Sequence, residues 1–154
     1  MLLQSGKPKG AGQKCPLRIY INNQSLPVPQ QQLCRLALTI YKKERIPLTK
    51  TISLVFCSDH AIRNLNAGYR KINRATDVLS FTLDDDDFLG EIYISLERVK
   101  VQARRYEISF NDEITRLFVH GFFHLLGYDH KKEAERLLME KKESFYAGND
   151  FPLR

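Results

Sequence analysis

Three of the four histidines in this 154-residue chain fall within eleven residues, His120-Gly121-Phe122-Phe123-His124-Leu125-Leu126-Gly127-Tyr128-Asp129-His130. His120 and His124 are four residues apart in an apolar helical pattern, so their imidazoles share one helix face, close enough to grip a single ion. Gly127 ends that helix and brings His130 back as a third ligand. Three neutral imidazoles with an open fourth position suit a catalytic zinc ion, whereas a structural zinc is normally closed by four protein ligands. The expectation is therefore one divalent metal ion, zinc first, with nickel, copper and cobalt compatible with the same donors.

The same H-x3-H-x2-G-x2-H spacing occurs in metzincin-like metalloproteases, which carry a glutamate general base directly after the first histidine. Gly121 occupies that position here and can neither take nor give a proton, which disfavours peptide hydrolysis. His60 stands apart beside Asp59 and reads as a surface or capping residue. Cys15, Cys34 and Cys57 are odd in number, widely spaced and lack a C-x-x-C pair. They read as small packing residues in a reducing, cytoplasmic protein, with no disulfide framework and no thiolate zinc site.

Positioning the histidines requires a scaffold, and the chain supplies alternating strand and helix signals. Leu17–Ile21 alternates as a first strand, and Leu33, Leu36, Ala37, Ile40 and Tyr41 give residues 30 to 44 a helical period. Thr51–Cys57 is a second strand, so strand, helix and strand form a βαβ unit with a right-handed crossover. Ser58 and Asp59 start a short helix through Tyr69 that presents Ile62, Leu65 and Asn66 on one side. Asp77–Leu83 and Phe88–Ser95 read as neighbouring antiparallel strands joined by the solvated loop Asp84–Asp87. A basic helix covers Leu96–Tyr106, and Ser109-Phe110-Asn111-Asp112 caps the apolar helix that carries the histidines. Lys132–Tyr146 reads as a last helix with Ala134, Leu137, Leu138 and Phe145 facing inward. The fold class is α+β, a single domain with a small mixed sheet of about four strands flanked by helices and an H-x3-H-x5-H metal-binding helix and turn.

The domain spans residues 17–154, preceded by a mobile basic leader over residues 1–16. A domain of this size hides about 70% of the surface that its unfolded chain exposes, so a metal is not needed merely to hold it together. No apolar run approaches the roughly 20 residues that span a bilayer, and the N-terminus lacks the apolar core of a secretory signal. The net charge of +6 is unevenly spread. Residues 1–50 hold nine basic side chains and one acidic, and residues 51–154 hold fifteen and seventeen. A basic N-terminal third permits a polyanionic partner without naming one.

Several segments together resemble the YbeY family of metal-dependent endoribonucleases, which act as ribosomal RNA maturation factors. They are Leu65-Asn66, Tyr69-Arg70, Thr76-Asp77-Val78-Leu79-Ser80-Phe81, Leu89-Gly90-Glu91-Ile92-Tyr93-Ile94-Ser95 and His120-Gly121 through to His130. The family's histidine pattern is HGxLHLxGYDH, and this chain departs from it at Phe123. Ala75 and Thr82 replace prolines around the TDVLSF segment, and Glu91 stands where aspartate is usual.

The resemblance implies a single-strand-acting endoribonuclease in small-subunit rRNA 3′-end processing and ribosome quality control, with ribosomal RNA or ribosomal particles as partners. It implies no membrane and no nucleotide cofactor. His120, His124 and His130 map to the metal ligands. Arg70 and His120 map to catalytic positions, and a guanidinium at Arg70 suits two phosphate oxygens at once. Asp77 and Asp129 are candidates to accept the outer ring N–H of a ligand histidine. Arg98, Lys100, Arg104 and Arg105, together with Lys42, Lys43 and Arg45, are candidate RNA contacts, with binding that weakens steeply with salt. The rival to an enzyme is a ribosome assembly factor that uses a structural metal and cuts nothing.

Overall fold

Serine side chains start three of the helices. Ser58 Oγ accepts from Ala61 N at 3.1 Å, Ser95 Oγ from Arg98 N at 3.3 Å and Ser109 Oγ from Asp112 N at 3.0 Å. Each such cap satisfies an orphan amide and contributes about 1 kcal/mol. The computed structural model describes residues 14–22, 26–129 and 131–148, and of Asp84 only its backbone. Residues 1–13 of the basic leader and the third histidine, His130, therefore lie outside the described residues.

In chain order the elements are β1 (Leu17–Ile21), α1 (Gln30–Lys43), β2 (Thr51–Cys57), α2 (Asp59–Arg70), β3 (Val78–Asp85), β4 (Phe88–Ser95), α3 (Leu96–Arg105), α4 (Phe110–Leu125) and α5 (Glu133–Ala147). The sheet runs β1-β2-β4-β3. β1 pairs parallel with β2, β2 parallel with β4, and β3 antiparallel with β4 through the turn at Asp86–Asp87. This is the expected α+β domain with a four-stranded mixed sheet. The two central strands are covered on both faces, which is why TISLVFC reads as a continuous apolar run.

Strand alternation sends successive side chains to two different cores. Ile52, Leu54, Phe56, Ile92 and Ile94 join α1 and α4 in the larger core, where the Phe122 ring meets Tyr41 and Phe118 edge-on at 5.7 Å. Val55, Cys57, Leu79 and Tyr93 face the other way, under Ile62 of α2. The thiol of Cys57, buried and close to Asp59 and Glu97, is pushed up to about 12, so it remains protonated and is no nucleophile.

Two expectations need correction. Cys15 and Cys34 are paired as a disulfide, with Cα atoms 5.8 Å apart. The spacing argument considered only motifs local in sequence. A residue entering β1 and a residue in the second turn of α1 are instead brought together by the fold, because the helix packs back on the strand that precedes it.

On α5 the inward face is not the one that hydrophobicity selects. Ala134, Leu137, Leu138 and Phe145 are exposed, while Met139 is buried and Lys142, Glu143 and Tyr146 are half-buried. The helix rests on polar anchors. Glu44, just past α1, accepts from Lys142 Nζ and from Tyr146 Oη, both at 2.7 Å, and the Tyr146 ring stacks on Phe123 at 5.6 Å. Burial raises the Glu44 pKa, but the bonds from Lys142 and Tyr146 outweigh it and hold the carboxyl below its ordinary range.

Candidate active site

Gly121 sets the rotation of the histidine helix. A Cβ at this position would stand 2.9 Å from Ile92 Cγ2 and 3.0 Å from Ser80 Oγ, so only glycine lets α4 lie this close to β3 and β4. Ser80 Oγ donates to the Gly121 carbonyl at 3.0 Å and locks the approach. A glutamate at 121 would have to enter the sheet, so the metzincin base has no room here.

With Gly121 against the sheet, the neighbouring imidazoles point along the partly open side of α4. His120 Nε2 and His124 Nε2 are 3.1 Å apart, and the rings meet at 73° with centroids 4.7 Å apart. Behind His120, its Nδ1 lies 2.5 Å from Oε1 of Glu143 on α5, with both side chains about four-fifths buried. An ionised carboxylate only accepts, so Nδ1 carries the proton and Nε2 presents its lone pair toward His124. Two nitrogens placed like this share either a proton or a cation. Ligands each about 2.0–2.1 Å from a tetrahedral zinc ion stand about 3.3 Å from one another, so the pair fits the expected metal. Glu143 does for His120 what a carboxylate beside a ligand histidine does generally, fixing its tautomer and raising its basicity.

Sequence reasoning missed Glu143 because it chose the wrong face of α5. The available signal was its place four residues after Met139 and three before Tyr146, the two large side chains that face the core. Asp77, a candidate for that role, has other partners among the described residues. Its Oδ1 accepts from Val78 N at 2.8 Å and its Oδ2 from Gln102 Nε2 at 3.2 Å, and Arg116 Nη2 lies 3.9 Å from Oδ2. Arg116 is one turn before His120 and also meets the buried Glu113 at 3.3 Å. Asp77 thereby ties the start of β3 to α3 and α4. Asp129 is half-buried just beyond the helix-ending Gly127, whose φ of 94° is the left-handed value expected there.

Arg70 is the last residue of α2 and is exposed. Ser80 of β3 faces the histidine helix, whereas the adjacent Phe81 faces the opposite way and meets Tyr69, the neighbour of Arg70, at 5.0 Å. Glu91 lies on that same far face and accepts from Tyr93 Oη at 2.9 Å.

The remaining basic candidates divide. Arg98 is paired with Asp59 at 3.2 Å, while Lys100, Arg104 and Arg105 are exposed along α3. Lys42, Lys43 and Arg45 are exposed at the end of α1, with Lys43 Nζ 5.4 Å from the Phe145 ring centroid. His60 is exposed on α2 beside Asn64, as expected. Among the described residues no helix is long and apolar enough to cross a membrane.

Comparison with known proteins bears on the whole arrangement. An Endoribonuclease YbeY of Finegoldia magna is 50% identical over 97 residues, covering 60% of this chain and 63% of that protein. One of Desulforamulus reducens is 47% identical over 102 residues, covering 60% of this chain and 67% of that protein. One of Heliobacterium modesticaldum is 43% identical over 130 residues, covering 74% and 78%. The solution structure of TM1509 from Thermotoga maritima superimposes with a TM-score of 0.60 at 29% identity, covering 85% of this chain and 86% of that one. Residues 19–148, which contain the whole sheet apart from the first two residues of β1 and include both described histidines of the site, match the family described as Endoribonuclease YbeY, and the chain belongs to that family.

Proposed function

We propose that the protein is a metal-dependent endoribonuclease that hydrolyses phosphodiester bonds of single-stranded RNA during ribosomal RNA maturation in the cytoplasm. The observation that carries this reading is the convergence of His120 and His124 Nε2 at 3.1 Å with Glu143 braced behind, in a chain of the Endoribonuclease YbeY family. His120, His124 and His130 would hold one divalent ion, zinc first. When bound, that ion supplies Lewis acidity toward a phosphoryl oxygen and the attacking oxygen.

The protein's own groups supply the rest. Glu143 keeps the proton of His120 on Nδ1, so that Nε2 stays available on the cleft side. Gly121 and Ser80 hold α4 at one rotation and so aim both rings together. Arg70, exposed at the end of α2, offers a planar fork to a phosphate of the substrate strand. The exposed cations of α3 and of the α1 end extend the same attraction toward ribosomal RNA or ribosomal particles.

The test is metal analysis of the purified protein, followed by cleavage of an unstructured RNA with and without chelator. Wild type is compared with the variant carrying His120→Ala and His124→Ala. One equivalent of divalent metal and chelator-sensitive cleavage are expected in wild type, and neither in the variant. Undiminished metal content in a folded variant would overturn the site. Metal without cleavage in wild type, with binding to ribosomal particles intact, would favour the assembly-factor reading.

A further inference from the structure

The far face of β3 carries a feature that the histidine cleft does not use. Tyr69 is 70% exposed, which is high for so large a ring, yet it is not loose. The Phe81 ring supports it from behind at 5.0 Å, and Phe81 in turn meets the buried ring of Tyr93 edge-on at 5.8 Å. Three rings thus run from the smaller core out to solvent, and the outermost has a supported face and an open one. An exposed aromatic alone is ordinary. Its surroundings here are not.

Residues 63–74 contain Arg63, Arg70, Lys71 and Arg74 and no carboxylate. All four are exposed, and none has an acidic partner among the described residues. Arg63 Nε donates to the neutral Asn73 Oδ1 at 2.9 Å, so its charge is oriented without being compensated. Lys71 adopts the left-handed conformation with φ of 58°, and Asn66 Nδ2 donates to the Arg74 carbonyl at 3.0 Å. Together with the Arg63–Asn73 bond they fold the loop back along α2. Glu91, also on this face, accepts from the neutral Tyr93 hydroxyl at 2.9 Å and keeps its negative charge, one against the four cations. A flat ring backed by Phe81 and followed in the chain by Arg70, Lys71 and Arg74 matches a nucleobase with its phosphates.

We propose that Tyr69 is a stacking platform for an unpaired base of the RNA strand, with Arg70, Lys71 and Arg74 neutralising the adjoining phosphates. This rests on the reading of the protein as an endoribonuclease, and it adds where an unpaired base of the strand is held. A base within a duplex already has both faces stacked, so the platform selects single strands.

The experiment is equilibrium binding of a short, fluorescein-labelled oligoadenylate to the full chain, in chelator so that the strand stays whole, over a series of salt concentrations. Tyr69→Ala is expected to weaken binding about 10- to 100-fold, and Tyr69→Phe to stay within about twofold of wild type. The slope of log affinity against log salt should be unchanged in Tyr69→Ala and reduced by about 0.7 in Arg70→Ala or Arg74→Ala. Affinity for a duplex of equal length should not respond to Tyr69→Ala.

Wild-type affinity in Tyr69→Ala overturns the platform, and equal losses in Tyr69→Ala and Tyr69→Phe overturn stacking in favour of a hydroxyl contact. Wild type that binds no RNA overturns the endoribonuclease reading itself, and with it the platform. Unchanged RNA affinity combined with weaker binding to protein-only ribosomal fractions assigns the face to a protein partner instead.

Discussion

Replacing Glu143 with alanine removes the carboxylate behind His120 and leaves both imidazoles in place. The contact spans 2.5 Å between side chains that are 22% and 18% exposed, so it is charge-assisted and largely shielded from water. A hydrogen bond of that kind contributes about 1.5–3 kcal/mol. Losing it frees the ring to rotate and makes its Nε2 a weaker donor, and outer partners of this type alter metal affinity about 10- to 100-fold. That range corresponds to about 1.4–2.7 kcal/mol, which agrees with the energy of the bond.

The assay is titration of zinc into metal-free protein in competition with a chromophoric chelator near neutral pH, with circular dichroism to show that the fold persists. Glu143→Gln retains an acceptor oxygen without the charge, so it should fall between wild type and Glu143→Ala. A folded Glu143→Ala variant that binds zinc within about twofold of wild type would refute the argument that α5 tunes the site.

Two further outcomes test the scaffold. Gly121→Ala places a methyl group 2.9 Å from Ile92 Cγ2 and 3.3 Å from Val78 Cγ2, so it should cost about 1–3 kcal/mol and lower Tm by several degrees; an unchanged melting curve would show that α4 shifts freely. Glu44→Gln should lose about 1–2 kcal/mol at neutral pH in denaturant unfolding. Because the folded-state carboxyl lies below its ordinary value, that stabilisation is complete above the usual carboxylate range and disappears as pH falls through the folded value. The gap between variant and wild type should therefore close in acid, and a gap that stays constant would contradict the assigned ion pair.

Periodicity made most of the scaffold legible. The strand limits at Thr51–Cys57 and Phe88–Ser95 coincide with the folded ones, because β-branched and aromatic runs end there at helix caps or charged turns. The Ser109 cap and the reversal at Gly127 were equally plain, since each depends on local chemistry. What stayed hidden depends on contacts between elements. Strand order placed β4 between β2 and β3, which no single segment encodes. The pairing of Cys15 with Cys34 follows from helix-on-strand packing. On α5, Leu137 and Leu138 outweighed Met139 as hydrophobic signals, yet Glu44 and Phe123 anchor the opposite side. That Ser80 turns toward Gly121 while Phe81 turns toward Tyr69 was invisible for the same reason, because it depends on which layer covers each face of β3.

The run of aspartates at the β3–β4 turn has a consequence for how the molecule keeps to itself. Among the described residues, sheet order leaves one side of β3 without a neighbouring strand, and Val78-Leu79-Ser80-Phe81-Thr82-Leu83 is the kind of sequence that recruits a strand from another chain. Asp85, Asp86 and Asp87, all exposed, end that strand. A second copy docking antiparallel would bring its own carboxylates along the same edge, and one docking parallel would set the two clusters side by side. Either approach places uncompensated negative charge against an open row of amides and carbonyls. Charge at the end of an edge strand disfavours such pairing, and here it sits several residues along β3 from the Ser80–Gly121 contact that positions the histidine helix.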